Sequence, residues 1–130
     1  MKMVLLLKKK PGMSAAEFKS YYETYHAPLA SKYLHFATYK RNYINKDDLY
    51  RAGHVEEAAP LPDHDVVVEI GFESREDYEK MLKVFEDPVL GKQFADDEAN
   101  FLDRGALQMF FVDECETPVD LLAASRKAAV

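Results

Sequence analysis

The chain has 130 residues, near the commonest size of a single domain, and is long enough to bury a core without a disulfide or structural metal. Its one cysteine, Cys115, excludes an intramolecular disulfide and cysteine-based zinc frameworks, and fits a reducing, cytoplasmic setting. The formal net charge of -6 disfavours a nucleic-acid partner, and the first apolar run, residues 3–7, is too short for a signal-peptide core or a membrane span.

Residues 2–10 open with Met3-Val4-Leu5-Leu6-Leu7, which reads as a strand apolar on both faces. After Pro11-Gly12 breaks it, Ser14-Ala15-Ala16-Glu17 has the form of a capping box, so a helix is expected from Ser14. Phe18, Tyr22, Tyr25 and Leu29 then fall on one side of that helix as its inward stripe. Pro28 lacks an N–H and restricts Ala27, so the helix is expected to stop or kink directly after His26. Residues 34–44 alternate and predict a second strand with Tyr39, Arg41 and Tyr43 on one face. Residues 45–65 carry two prolines, a glycine, two histidines and six acidic residues without a period, and read as a long loop of the kind that forms lids or binding loops.

A third strand is expected over residues 66–72, followed by a helix capped at Ser74 with Tyr78, Met81, Leu82 and Phe85 inward. Asp87-Pro88 restarts a helix whose Leu90, Phe94, Phe101 and Leu102 share a face; Gly105 is expected to end it before a strand over 107–113. The order β-α-β, loop, β-α-β is that of an α+β, ferredoxin-like βαββαβ domain over residues 1–113, with helices on one side of a four-stranded antiparallel sheet. Residues 3–7 and 106–112 are apolar in both alternating sets, so the second face needs a cover. An identical subunit supplies one, giving a homodimer with its sheets face to face. The tail, 114–130, suits a short helix starting at Pro118 and reaching over the partner.

The run Lys10-Pro11-Gly12-Met13-Ser14, then Glu17-Phe18, Tyr21-Tyr22 and His26-Ala27-Pro28-Leu29-Ala30, resembles the EthD family, whose members carry an "RKPG(L/M)S…EF…YW…HAPL" block. Asp65 to Ser74 is similar to that family's third strand and the entry to its second helix, whereas residues 45–64 match no part of its pattern. The resemblance implies a dimeric α+β barrel and small hydrophobic, often aromatic substrates. Family members are associated with bacterial oxidative ether degradation, and fungal relatives act as decarboxylases or dehydratases on aromatic polyketides.

His26 is the leading catalytic candidate, because imidazole exchanges protons near neutral pH and the residue borders the aromatic stripe; its other reading is a cap on the helix carbonyls. Tyr22 and Tyr25 are expected inward, as substrate-orienting phenols or as packing, with Phe18 beside them and Tyr21 at an edge. Asp65 is the second catalytic candidate, either fixing the tautomer of His26 or capping a turn. Tyr39 and Arg41 suit a carboxylated aromatic substrate, or Arg41 pairs with Glu69 in mid-strand. His54, Asp63, His64 and Asp65 match no metal-ligand signature, and the scattered glycines form no phosphate cradle, so neither metal nor cofactor is expected. The function expected is cofactor-independent acid/base chemistry, namely decarboxylation, dehydration or cyclisation of an aromatic or polyketide-like compound. The alternative is a non-catalytic binding or accessory protein for an oxidative degradation system.

Overall fold

A computed structural model describes residues 1–48 and 60–128. Of the candidates above, His54 lies outside the described residues, as does much of the loop at 45–65. Strand β1 (Lys2–Leu7) leads to α1 (Ala15–Tyr21), a π-helical turn (Tyr22–His26), α2 (Ala27–Tyr33) and β2 (Thr38–Tyr43). After the loop come β3 (Val66–Gly71), α3 (Arg75–Glu86), α4 (Pro88–Ala99), β4 (Gln108–Val112) and α5 (Val119–Ala128). The sheet order is β2-β3-β1-β4, every neighbouring pair antiparallel, which is the ferredoxin-like arrangement. No helix among the described residues is long and apolar enough to cross a membrane.

The capping box is present: Glu17 N–H donates to Ser14 Oγ at 3.1 Å while Glu17 accepts from Ser14 N–H at 3.1 Å. At α3 Ser74 Oγ accepts from Asp77 N–H at 3.2 Å, and Asp87 Oδ1 accepts from the N–H groups of Val89 and Leu90 at the start of α4.

The first helix does not stop after His26. It continues to Tyr33, and Pro28 is absorbed by the π turn, in which Ala27 N–H bonds to Tyr22 O, five residues back. A turn of that width removes the clash and the missing donor that proline imposes on a regular α-turn. Residues 34–37, expected in strand, therefore close the helix and return the chain, with His35 at φ 58°. The second correction concerns α4, which ends at Ala99 rather than at Gly105. Phe101 and Leu102 lie past it because that segment pairs with the continuation of β1: Lys10 N–H bonds to Phe101 O, and Asp103 N–H to Lys8 O.

Met3, Leu7, Val66, Val68 and Ile70 point from the sheet toward the helices and are buried. Phe18, Tyr22, Phe94 and Phe101 close over them, all at 1% exposure or less. Each such ring contributes roughly 2–3 kcal/mol by leaving water. On the opposite face, Val4, Leu6, Val67, Phe110 and Val112 meet no layer of this chain's helices.

Candidate functional site

His26 stands where the π turn meets α2, with its imidazole aimed at α4. Its Nδ1 lies 2.7 Å from Asp97 Oδ2, and the same carboxylate accepts from Tyr21 Oη at 2.6 Å through Oδ1. Asn100 Nδ2 in turn donates to Tyr21 Oη at 2.9 Å. A carboxylate only accepts, so Nδ1 carries the proton, and the lone pair of the neutral ring sits on Nε2. Nε2 makes no hydrogen bond among the described residues, and no fully buried side-chain polar atom there lacks a partner. Nε2 therefore is not fully buried, and His26 is one of the residues that line a cavity.

That cavity, about 70 Å³ in volume, lies between the helices and the sheet. Its walls are mostly aliphatic and aromatic, with Met3, Leu5, Leu34, Ile70, Met81 and Phe94 among them. Phe85 and Met109 also line it while remaining 39% and 51% exposed, which puts the mouth between α3 and β4. Four side chains bring polar atoms to the wall: His26, Tyr22, Tyr39 and Glu98. Tyr22 and Tyr39 share a hydrogen bond of 2.7 Å between their hydroxyls. Burial keeps both protonated, pushing Tyr39 up to about 12 and Tyr22 well above the ordinary phenol range. Two protons serve one mutual bond, which leaves an O–H to offer to a carbonyl oxygen.

The residues singled out from sequence separate accordingly. His26, Tyr22 and Tyr39 line one cavity. Tyr25 does not face inward: it is 59% exposed and packs on Tyr21 with ring centroids 4.9 Å apart, because the wide π turn rotates it off the inward stripe. Phe18 is core, stacked on Phe101 at 5.7 Å. Asp65 does not orient His26; its carboxylate accepts from Lys9 N–H at 2.8 Å and pairs with Lys46 Nζ at 3.0 Å. Nor does Arg41 meet Glu69. Arg41 lies on the helix side of β2, where its Nε and Nη2 each reach Glu23 at 2.8 Å, and Glu69 on the opposite face pairs with Lys2 at 2.6 Å. His64 Nε2–H donates to Ala106 O at 2.9 Å.

Asp97 and Glu98 were not among the residues that sequence reasoning selected. A usable signal existed, since Phe94 and Phe101 are both inward, and the acids at 97 and 98 fall three and four residues after Phe94 on the same helical side.

The EthD domain family model matches residues 10–105. Among solved structures, the Arabidopsis thaliana protein At3g17210 is 17% identical with a TM-score of 0.59, over 90% of this chain and 97% of its own. An ethyl tert-butyl ether D (EthD) family protein from Bacillus halodurans is 18% identical with a TM-score of 0.56, covering 88% and 99%. An EthD-like protein from Ralstonia eutropha is 19% identical with a TM-score of 0.53, covering 89% and 94%. At such identities these likenesses speak to the fold. Comparison with curated proteins returns no match.

Proposed function

The chain belongs to the EthD family, and from that premise and the chemistry of the cavity we propose that it is a small-molecule enzyme in which His26 is the general acid/base. The observation that carries this reading is the His26 Nδ1 to Asp97 bond of 2.7 Å, which leaves Nε2 as a base in a cavity otherwise largely apolar. A carrier of hydrophobic compounds needs no oriented imidazole. Asp97 is a positioning residue that fixes the tautomer and favours the imidazolium once it forms. The Tyr22 and Tyr39 hydroxyls steady a carbonyl oxygen as enolate charge develops. The reaction is a proton transfer coupled to decarboxylation, dehydration or cyclisation of a hydrophobic aromatic or polyketide-like compound, carried by side chains alone.

The enclosed volume is below the ~150 Å³ that admits a benzene ring. A substrate ring therefore rests at the mouth by Phe85 and Met109 while the reacting end reaches His26. The enzyme works in the cytoplasm, where the exposed thiol of Cys115 stays reduced. It works as a homodimer, two copies burying the open sheet faces, with α5 and its exposed Val119, Leu121 and Leu122 lying over the neighbour.

The test is a thermal-shift screen of aromatic ketones, phenols and short polyketide analogues, with product analysis of every hit. Wild type is expected to convert a ligand that His26→Ala binds without converting. Asp97→Asn is expected to bind it with kcat lowered on the order of 100-fold. Ligands held by wild type with no product from any of them would replace the enzyme with a binding protein for an oxidative degradation system.

A further inference from the structure

Among the described residues, Glu98 is the one carboxyl group in the cavity wall. It follows Asp97 directly on α4, so the two acids diverge: Asp97 reaches the Nδ1 side of His26 and Glu98 turns to the cavity. The Glu98 side chain makes no hydrogen bond among the described residues and is 23% exposed. It forms an ion pair with Arg104, whose Nε stands 3.6 Å from Oε2, past hydrogen-bonding length, and which is not among the described residues lining the cavity. Burial raises the proton affinity of this carboxyl, against the opposing pull of His26 and Arg104, while Asp97 adds to the rise. A carboxyl in a largely apolar wall, raised in proton affinity and held by a single long ion pair rather than a hydrogen bond, is suited to proton transfer.

The cavity also restricts the charge of what enters. Among the described residues neither lysine nor arginine lines it, and the guanidinium of Arg41 is committed to Glu23. A carboxylate at the reacting end would face Glu98 with no lysine or arginine to pair with it, and with His26 neutral when it acts as the base. Decarboxylation begins from such an anion, whereas loss of water from a hydroxy ketone begins and ends neutral.

Building on the role given to His26 above, we propose that Glu98 is a second proton-transfer group of the same site, and that the pair dehydrates a neutral β-hydroxy carbonyl compound. A hydroxyl of the Tyr22 and Tyr39 pair donates to the substrate carbonyl. His26 Nε2 takes the proton from the carbon between the carbonyl and the carbinol, and the C–H electrons pass into an enolate. The enolate collapses to a carbon–carbon double bond, breaking the C–O bond. The departing oxygen takes the carboxyl proton of Glu98 and leaves as water. The imidazolium then returns its proton to the Glu98 carboxylate, and both groups are reset.

Two probes separate the two roles. Benzylacetone in D2O reports base catalysis alone, through deuterium entering its α-positions by NMR. Its β-hydroxy derivative reports the whole reaction, through absorbance of the benzylideneacetone formed. Wild type is expected to catalyse both, and His26→Ala neither. Glu98→Gln should keep the exchange within about twofold and lose dehydration by about tenfold or more, and Glu98→Asp, which retains a donor, should recover part of it. Dehydration undiminished in Glu98→Gln overturns the role of Glu98 and leaves the base in place. Loss of both reactions in Glu98→Gln makes Glu98 a structural residue and overturns the proposal as well. Wild type without α-exchange overturns the reading of His26 and this one with it.

Discussion

Glu23 gathers three donors: the Nε and Nη2 of Arg41 and the Tyr43 hydroxyl at 2.6 Å. The guanidinium, aided by the phenol, holds the Glu23 carboxyl down at about 2. A carboxylate whose folded pKa lies below its unfolded value near 4.5 stabilises the fold fully above that value, and the contribution disappears as pH falls toward 2. Glu23→Gln should therefore cost about 1 kcal/mol at neutral pH, a modest figure because the side chain is 37% exposed. Thermal melts of both proteins between pH 7 and about 2 should show their difference closing through that window. A difference that stays constant with pH would mean that packing, not charge, carries the effect. The same ion pair occupies the Arg41 guanidinium on the helix side of the sheet. Alternation put it on the face of Tyr39 and Tyr43, but Glu23, on the turn above, was invisible as its partner without the path of the helix.

At the scale of elements, what could be read in advance followed from local rules, and what could not depended on contacts distant in sequence. Capping at Ser14 and Ser74, the strand at β3 and the restart of a helix after Asp87 are each specified within a few residues. The π turn is different: Pro28 signals a fault in the helix, but whether the chain breaks or widens depends on what the next turn can pack against. Here Ala27, Ala30 and Leu34 are buried, and that burial makes continuation favourable. His26 borders a cavity, while one widened turn carries Tyr25 outward, and Asp97, 71 residues from His26, cannot be paired with it by local spacing. The junction of α3 and α4 tests a further local rule. A Cβ on Gly91 would strike the Phe85 carbonyl oxygen, a backbone atom unable to rotate aside. Gly91→Ala should destabilise the protein by about 2 kcal/mol, overlap outweighing the gain of about 1 kcal/mol in helix propensity. Urea unfolding measures it, and a variant more stable than wild type would show that the junction opens freely.

At the scale of the whole molecule, one sheet face has no helical layer over it among the described residues. Val4, Leu6, Val67, Phe110 and Val112 share it, with Phe110 43% exposed, and charged or polar groups border them: Lys2 pairs with Glu69, and Asn42 Nδ2 donates to Glu69 at 3.0 Å. An apolar patch bordered by polar groups suits a buried interface, and a sheet face matches a second sheet best when both carry the same surface. The second copy proposed above would bury it. Phe110→Glu places a charge on the edge strand β4 beside Val4, where closing the interface would strip its water with no partner to compensate. Sedimentation at micromolar concentration should give a dimer for wild type and a monomer for Phe110→Glu. A rim change, Lys40→Gln, should leave the dimer intact, since exposed charges contribute little. Circular dichroism separates dissociation from unfolding: Phe110 points away from Phe94 and Phe101, so the variant should keep its helices and strands. A wild-type monomer would leave the apolar face without the occupant assigned to it.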